Sequence, residues 1–355
     1  MHKKGKVYVG VSGGVDSSVA LARLSRAGFD VTAVFIKTWQ PDFVPCTWER
    51  ERLDAMRVSA HIGVPFLTFD AVSAYKNGVA DYMIHEYEAG RTPNPDVMCN
   101  HEVKFGAFLR FALESGATQV ATGHYAQVVQ RGNSFELHRG TDTQKDQSYF
   151  LWTLTHDELS HIFFPIGDSE KARVRDEAER YGLPTFAKHD SQGICFLGDI
   201  DMKQFLSHYI TSIPGDVYDE DGKCVGSHEG ALFYTLGQRH GFTIAPSIDT
   251  TLPYYVVEKD IHANTLTVSH RARTCTGTHI VLSRTNLLAP TLPDVCEAQF
   301  RYRQKPFRVK IEKRNGDCVM LTVLDPNIDL PSLGQSCVLY SGTHCLGGGI
   351  INEYL

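Results

Sequence analysis

Two periodicities alternate between residues 7 and 122, and that alternation limits the folds open to this chain. Val7–Val11 is a short β-branched run that leads into glycines. Ser17–Ala27 carries helical apolar spacing, and Gly28 follows as a stop. Val31–Ile36 reads as a buried strand, Glu49–Ile62 as a helix, Phe66–Asp70 as a strand and Ser73–Ala89 as a helix. An irregular loop with two prolines, Gly90–Met98, precedes a helix over Val103–Glu114 and a strand over Gln119–Thr122. This order predicts an α/β domain with a doubly wound parallel sheet covered on both faces. Ligands bind such sheets at the carboxyl ends of the strands. The loops after Val11, Ile36 and Thr122 should therefore surround one crevice.

With 355 residues the chain exceeds one ordinary core, and two or three domains are expected. Helical patterns continue through Lys171–Tyr181 and Met202–Tyr209, but after Pro214-Gly215 short strand-like pieces alternate with turn signals such as Asn315-Gly316. The division expected is a nucleotide-binding domain at 1–210, a small mostly β central domain at 211–273 and a C-terminal β-barrel at 274–355. Hydrophobic residues make up 42% and charged residues 21%, a globular composition. No apolar run reaches the ~18–20 residues of a membrane span, and Met1–Gly5 shows no apolar leader. The expectation is a cytoplasmic protein without a membrane partner. The net charge of −6 argues against nucleic acid, yet Arg301–Arg314 carries seven Lys/Arg against one Glu. Local charge governs such binding, so a basic stripe survives inside an acidic total.

Ser12-Gly13-Gly14-Val15-Asp16-Ser17-Ser18 falls between the first strand and the first helix. Paired glycines let backbone N–H groups turn toward a phosphate, and the helix N-terminus adds its unpaired N–H groups and positive dipole end. Ser12, Ser17 and Ser18 carry hydroxyl donors, and Asp16 is a candidate metal ligand. The Gly-Lys-Ser/Thr of a Walker loop is missing, which disfavours γ-phosphate transfer. SGGVDSS resembles the loop of the N-type ATP pyrophosphatases. That likeness implies cleavage of ATP between the α- and β-phosphates and adenylation of a carbonyl oxygen.

Seven further segments narrow the resemblance. They are GRTPNPDVMCNHEVKF (90–105), ATGHY (121–125), KDQSYFLW (145–152), DSQGICF (190–196), YTLGQR (234–239), RYRQ (301–304) and CLGGGI (345–350). In this order they resemble the bacterial tRNA-specific 2-thiouridylases over nearly the whole chain. The resemblance implies thiolation at position 2 of the wobble uridine, position 34. Its partners would be the anticodon arm of glutamate, glutamine and lysine tRNAs, and a cysteine desulfurase or sulfur-relay protein. ATP with Mg²⁺ would bind at Gly10, Val11, Ser12, Gly13, Gly14, Val15, Asp16 and Ser17, with Ile36 and Gly123 also touching the nucleotide. Ile36 stands where the family more often has methionine. Asn94, Pro95 and Asp96 would meet the target base. His124, Lys145, Asp146, Gln147, Arg301, Tyr302 and Gln335 match tRNA-contact positions. Cys195 would carry a persulfide with Cys99 as its partner, and Asp96 would move protons.

The residue chemistry supports a sulfur transfer independently. Exchanging a carbonyl oxygen for sulfur needs a leaving group and a sulfur nucleophile held close. Adenylation supplies the first, and a persulfide resolved by a second thiol supplies the other. Cys99, placed at the start of the Val103–Glu114 helix, should be shifted toward thiolate by the helix N-terminus. The other seven cysteines read as ordinary thiols, Cys46 being nearest the candidate site, and no C-x-x-C pair suggests zinc. Two other functions remain open to the loop: a different adenylating ligase, and a non-catalytic tRNA-binding protein.

Overall fold

The computed structural model describes residues 4–44, 47–189, 193, 195, 201–246, 248 and 251–355. β1 (Lys4–Gly10), β2 (Phe29–Lys37), β3 (Phe66–Asp70), β4 (Gln119–Ala121) and a short strand at Ile162–Phe163 form one sheet. Its order is β3-β2-β1-β4 followed by Ile162–Phe163, and every pairing is parallel. Both faces are covered, which is why β1 and β2 read as unbroken apolar runs rather than as alternation. Val7 and Val9 pack with Leu21 and Val58, from α1 (Val15–Arg26) and α2 (Trp48–Ile62). Tyr8, Val34 and Ile36 join Val103 and Phe108 on the opposite face. Strand order reverses between β1 and β4, so the loops after them open the crevice that parallel sheets use for ligands.

The Gly90–Met98 expectation needs correction. The helical stretch begins at Pro95, not Val103: Pro95–Met98 is α-helical, Cys99–Ala107 is wound as a π-helix and Phe108–Glu114 is α-helical again. Asn94 is its N-cap, accepting the Val97 N–H at 3.2 Å, and Pro95 takes the first helical position, where its missing N–H costs nothing. The preceding stretch at 72–88 also contains a π segment, Lys76–Ala80. The two wide segments meet at Gly78, where any Cβ would fall 2.7 Å from Glu102 Cγ.

Strands Gly215–Tyr218, Cys224–His228, Thr243–Ile244, Tyr255–Asp260 and Thr265–Ser269 form a separate central sheet. Beyond it, six strands from His279–Leu287 to His344–Tyr354 close into a barrel, the first pairing with the last. Closure leaves no open edge on the barrel. A hairpin at Ala126–Arg131 and Ser134–Arg139 leaves the N-terminal region and touches the barrel through His138 opposite His344.

The barrel is tied to the parallel-sheet region by buried polar contacts. Tyr149, 1% exposed, directs its hydroxyl at the carbonyls of Phe300 (2.9 Å) and Ser336 (3.0 Å). Gln335 Nε2 donates to the Thr92 carbonyl at 2.8 Å, and Asn286 Nδ2 donates to those of Trp152 and Leu154. Tyr149→Phe strands two buried acceptors. It should destabilise the protein by about 1–3 kcal/mol, read as a lower urea midpoint. An unchanged midpoint would show that this hydroxyl does not hold the barrel in place.

Candidate active site

The loop after β1 is built on backbone. Gly13 has φ +73°, and a Cβ there would lie 2.7 Å from the Glu51 carbonyl, so only glycine fits. Gly14 caps α1 with no side-chain hydrogen bond, which leaves the first N–H groups of the helix to a ligand. Ser18 is fully buried and donates to the Gly14 carbonyl at 2.6 Å. It therefore shapes the loop instead of facing a phosphate, contrary to the expectation for its hydroxyl. Ser17 Oγ accepts the Ser12 N–H at 3.3 Å, and Val15 packs beneath the helix Lys171–Arg180. Lys188 Nζ donates to the Gly13 carbonyl at 3.2 Å and pairs with Asp54 at 3.1 Å. Across the crevice, a Cβ on Gly123 would sit 2.6 Å from the Ser17 nitrogen, so glycine alone permits this approach.

Asp16 does not behave as a metal ligand. Both of its oxygens lie 2.8 Å from Lys171 Nζ, and it accepts the Tyr125 hydroxyl at 2.8 Å. Among the described residues no three His, Cys, Asp or Glu side chains group in a way that holds a metal. The donor set does not fit a protein-built Mg²⁺ site.

One cleft of about 320 Å³ is lined both by this loop (Gly10, Ser12) with Ile36 and Gly123, and by Lys104 and Cys195. Cys99 is fully buried, and its thiol points at the Cys195 sulfur from 3.5 Å; both are free thiols. The Cys195 N–H donates to Asp96 Oδ1 at 2.9 Å, and the buried Tyr75 hydroxyl donates to the Cys195 carbonyl at 2.8 Å. Of the DSQGICF segment only Gly193 and Cys195 are among the described residues. Gly193 has φ +86°, a conformation that favours glycine. Cys46 also lies outside the described residues. Cys275, Cys296, Cys337 and Cys345 are buried in the barrel region, and Cys224 and Cys318 are exposed.

The thiolate assignment reverses the sequence expectation. Cys99 sits past the first helical turn and is sealed from water, and burial pushes its thiol well up. The Cys195 thiol is lowered to about 7, first by the Cys99 hydrogen bond and then by the Lys104 ammonium. Burial raises the Asp96 carboxyl, and burial with Lys104 holds the His124 imidazole neutral. His124 Nε2 lies 3.4 Å from Lys104 Nζ, and Nδ1 lies 2.7 Å from Thr122 Oγ1.

Lys104 escaped the sequence reading for a geometric reason. At ~3.6 residues per turn, position i+5 lies well off the face of position i. In i→i+5 winding it returns nearly above it. The π segment Cys99–Ala107 brings both side chains to one sulfur site. Lys171, Lys188 and Tyr75 were also missed; no local motif marks them.

The positions matched to tRNA contact divide in two. Arg301 is exposed, Tyr302 packs on Phe150 with ring centroids 4.6 Å apart, and Lys145 and Gln335 are half-buried. His124 is buried inside the cleft. Asp146 is buried and bound to Arg139 at 3.0 Å and to the N–H groups of Gly140 and Ser148, so it braces the fold. Gln147 Oε1 accepts the Tyr125 N–H at 3.0 Å and also lines the cleft. In the basic stripe, Arg308 pairs with Asp325 and Lys310 with Glu312, which lowers its free charge.

Family profiles match in the same order as these regions. One described as tRNA methyl transferase HUP domain covers residues 5–199, the tRNA methyl transferase PRC-barrel domain covers 203–270, and the aminomethyltransferase beta-barrel domain covers 277–351. The tRNA-specific 2-thiouridylase MnmA of Bacillus pumilus (strain SAFR-032) is 42% identical over 98% of this chain and 95% of its own. That of Listeria welshimeri is 43% identical over 98% of this chain and 94% of its own. The chain belongs to the tRNA-specific 2-thiouridylase family. The Bacillus subtilis (strain 168) member is likewise 42% identical over 98% of this chain.

For this family member, alkylation of Cys195 by iodoacetamide should be half-maximal near pH 7, rising with pH, while Cys99 reacts slowly throughout. Peptide mass spectrometry reads both sites. Equal labelling, with a midpoint at the ordinary thiol value of about 8.5, would refute the assignment.

Proposed function

We propose that this protein is an ATP-dependent tRNA uridine 2-sulfurtransferase acting on the wobble uridine. The observation that carries this reading is one cleft lined by both the nucleotide loop and Cys195, with the buried Cys99 thiol 3.5 Å from the Cys195 sulfur. ATP binds on the loop N–H groups and the free start of α1, with its adenine against the strand end at Ile36. Uridine O2 attacks the α-phosphorus and pyrophosphate leaves. The terminal sulfur of a Cys195 persulfide then attacks C2, and the former O2 departs with AMP. Cys99 resolves the remaining S–S bond by attack on the Cys195 sulfur, which frees 2-thiouridine and leaves a Cys99–Cys195 disulfide for a dithiol reductant. In the variant order, Cys99 attacks first and releases hydrosulfide, which then attacks C2. Asp96, with its raised affinity for a proton, accepts and returns protons between Cys195 and the base. Catalysis on this account rests on positioning and fixed charge.

Asn94, Pro95 and Asp96 begin the helix beside the cleft and are proposed to receive the flipped base. Arg301, Tyr302, Lys145 and Gln335 are proposed as tRNA contacts, and His124 and Gln147 as cleft residues that meet only the target nucleotide. The working division is catalysis at 1–210, an adaptor at 211–273 and a tRNA-binding barrel at 274–355. The substrates proposed are the glutamate, glutamine and lysine tRNAs, and the sulfur source a cysteine desulfurase or relay carrier in the cytoplasm. No helix among the described residues is long and apolar enough to cross a membrane. An adenylating ligase, a methyl transferase or a passive tRNA binder would leave the cysteine pair without a role.

With ATP, a cysteine desulfurase and cysteine as the persulfide donor, and unmodified tRNA, the wobble nucleoside should gain about 16 Da, the oxygen-to-sulfur difference. Cys195→Ser and Cys99→Ser should each abolish this gain while tRNA affinity stays within about twofold. Direct attack predicts a reducible tRNA–enzyme adduct in Cys99→Ser, and the hydrosulfide route predicts none. Full thiolation in either variant would overturn the assignment.

A further inference from the structure

Lys104 is a half-buried cation to which the sulfur transfer described above assigns no role. It projects from the π-helical turn that also carries Cys99, and it lines the cleft together with Cys195. Its ammonium lies 3.4 Å from His124 Nε2 and is among the groups that draw the Cys195 thiol down. Asp96 is held beside the same residue by accepting the Cys195 N–H at 2.9 Å. The groups that face Cys195 are thus Tyr75 from the 72–88 stretch, Asp96, Cys99 and Lys104 from the 95–114 stretch, and His124 behind Lys104. Tyr75 and His124 are both held neutral by burial. Among the described residues, the Lys104 charge thus acts on both Asp96 and Cys195, while Cys99 is kept protonated by burial.

We propose that Lys104 is a catalytic residue of the thiolation site, a half-buried cation whose charge alternates between the Asp96 carboxylate and the Cys195 sulfur and so couples activation of the base to activation of the sulfur. This rests on the sulfurtransferase reading. Before adenylation, Asp96 is the anion and Lys104 offsets it. As uridine O2 attacks ATP, the proton on N3 passes to Asp96, which becomes neutral. Lys104 is then left to stabilise a negative sulfur on Cys195 as the adenylated carbon becomes electrophilic. The order matters because an anionic persulfide formed early would lose its sulfur to other acceptors. Attraction of Cys195 toward Lys104 and its opposition by Asp96 have the signs this alternation needs. The same sulfurs raise the Lys104 ammonium against the burial that would discharge it.

The test is the pH profile of Cys195 alkylation in the full-length protein, with no tRNA or ATP present. Lys104→Met should move the midpoint upward by at least one pH unit, and Asp96→Asn, which keeps the hydrogen bond from Cys195, should move it downward. Lys104→Arg should restore a midpoint near that of the unaltered protein. Circular dichroism and tRNA binding identify any variant that has not folded. For such a variant the remaining substitution decides alone, because each has its own predicted direction. Shifts in the same direction, or no shift in a folded Lys104→Met, would overturn the proposal. Opposed alkylation shifts with no thiolation by the unaltered protein would instead sustain the charge coupling and refute the sulfurtransferase reading.

Discussion

The hydrogen bond from the Cys195 N–H to Asp96 joins two segments about a hundred residues apart into one chemical unit. One segment is the helix started by Asn94-Pro95; the other is a loop that follows the helix Lys171–Arg180. Without that contact the Cys195 thiol would not be held against Cys99, and the half-buried Lys104 would lose an anionic neighbour. The π winding of Cys99–Ala107 is the local condition for it, since it gathers Cys99 and Lys104 on one side of the helix. Gly78 permits that winding by admitting the wide turn of the neighbouring stretch.

The nucleotide end depends on an equally narrow condition, close backbone approach. Gly13 against Glu51, and Gly123 against Ser17, have no room for a Cβ. The loop so formed spends its serine hydroxyls on its own shape and offers backbone N–H groups to a ligand. Asp16 belongs to the same support, tied to Lys171 and Tyr125. The loop end thus offers backbone N–H groups braced by Lys188 and the Asp16–Lys171 pair, while Cys195, Asp96 and Lys104 supply the reactive side chains of the sulfur site.

Much of this was legible in the sequence because it rests on local chemistry. β-Branched runs separated by helical spacing predicted the parallel sheet, and turn signals after Pro214 predicted the β-rich remainder. SGGVDSS predicted the loop, and Cys99, Cys195 and Asp96 do meet. The errors have physical causes. Asn94-Pro95 was taken as a loop, although a capping Asn followed by Pro is a helix start. That misplaced Cys99 at a helix N-terminus and gave it the wrong ionisation. Lys104 was invisible to a 3.6-residue period. His124 and Asp146 are polar and read as exposed, yet both are buried, Asp146 on Arg139, Gly140 and Ser148 and His124 on Thr122 and Lys104. Ile162–Phe163 is too short to announce itself as a strand.

The central claim is that nucleotide and sulfur act on one carbon within one cleft, so that the uridine oxygen leaves attached to AMP. The most direct measurement places ¹⁸O at position 2 of the wobble uridine and determines the mass of the AMP formed in a single turnover. The account predicts that the label is recovered in AMP as the nucleoside becomes 2-thiouridine. Label in water or pyrophosphate, with unlabelled AMP, would contradict it.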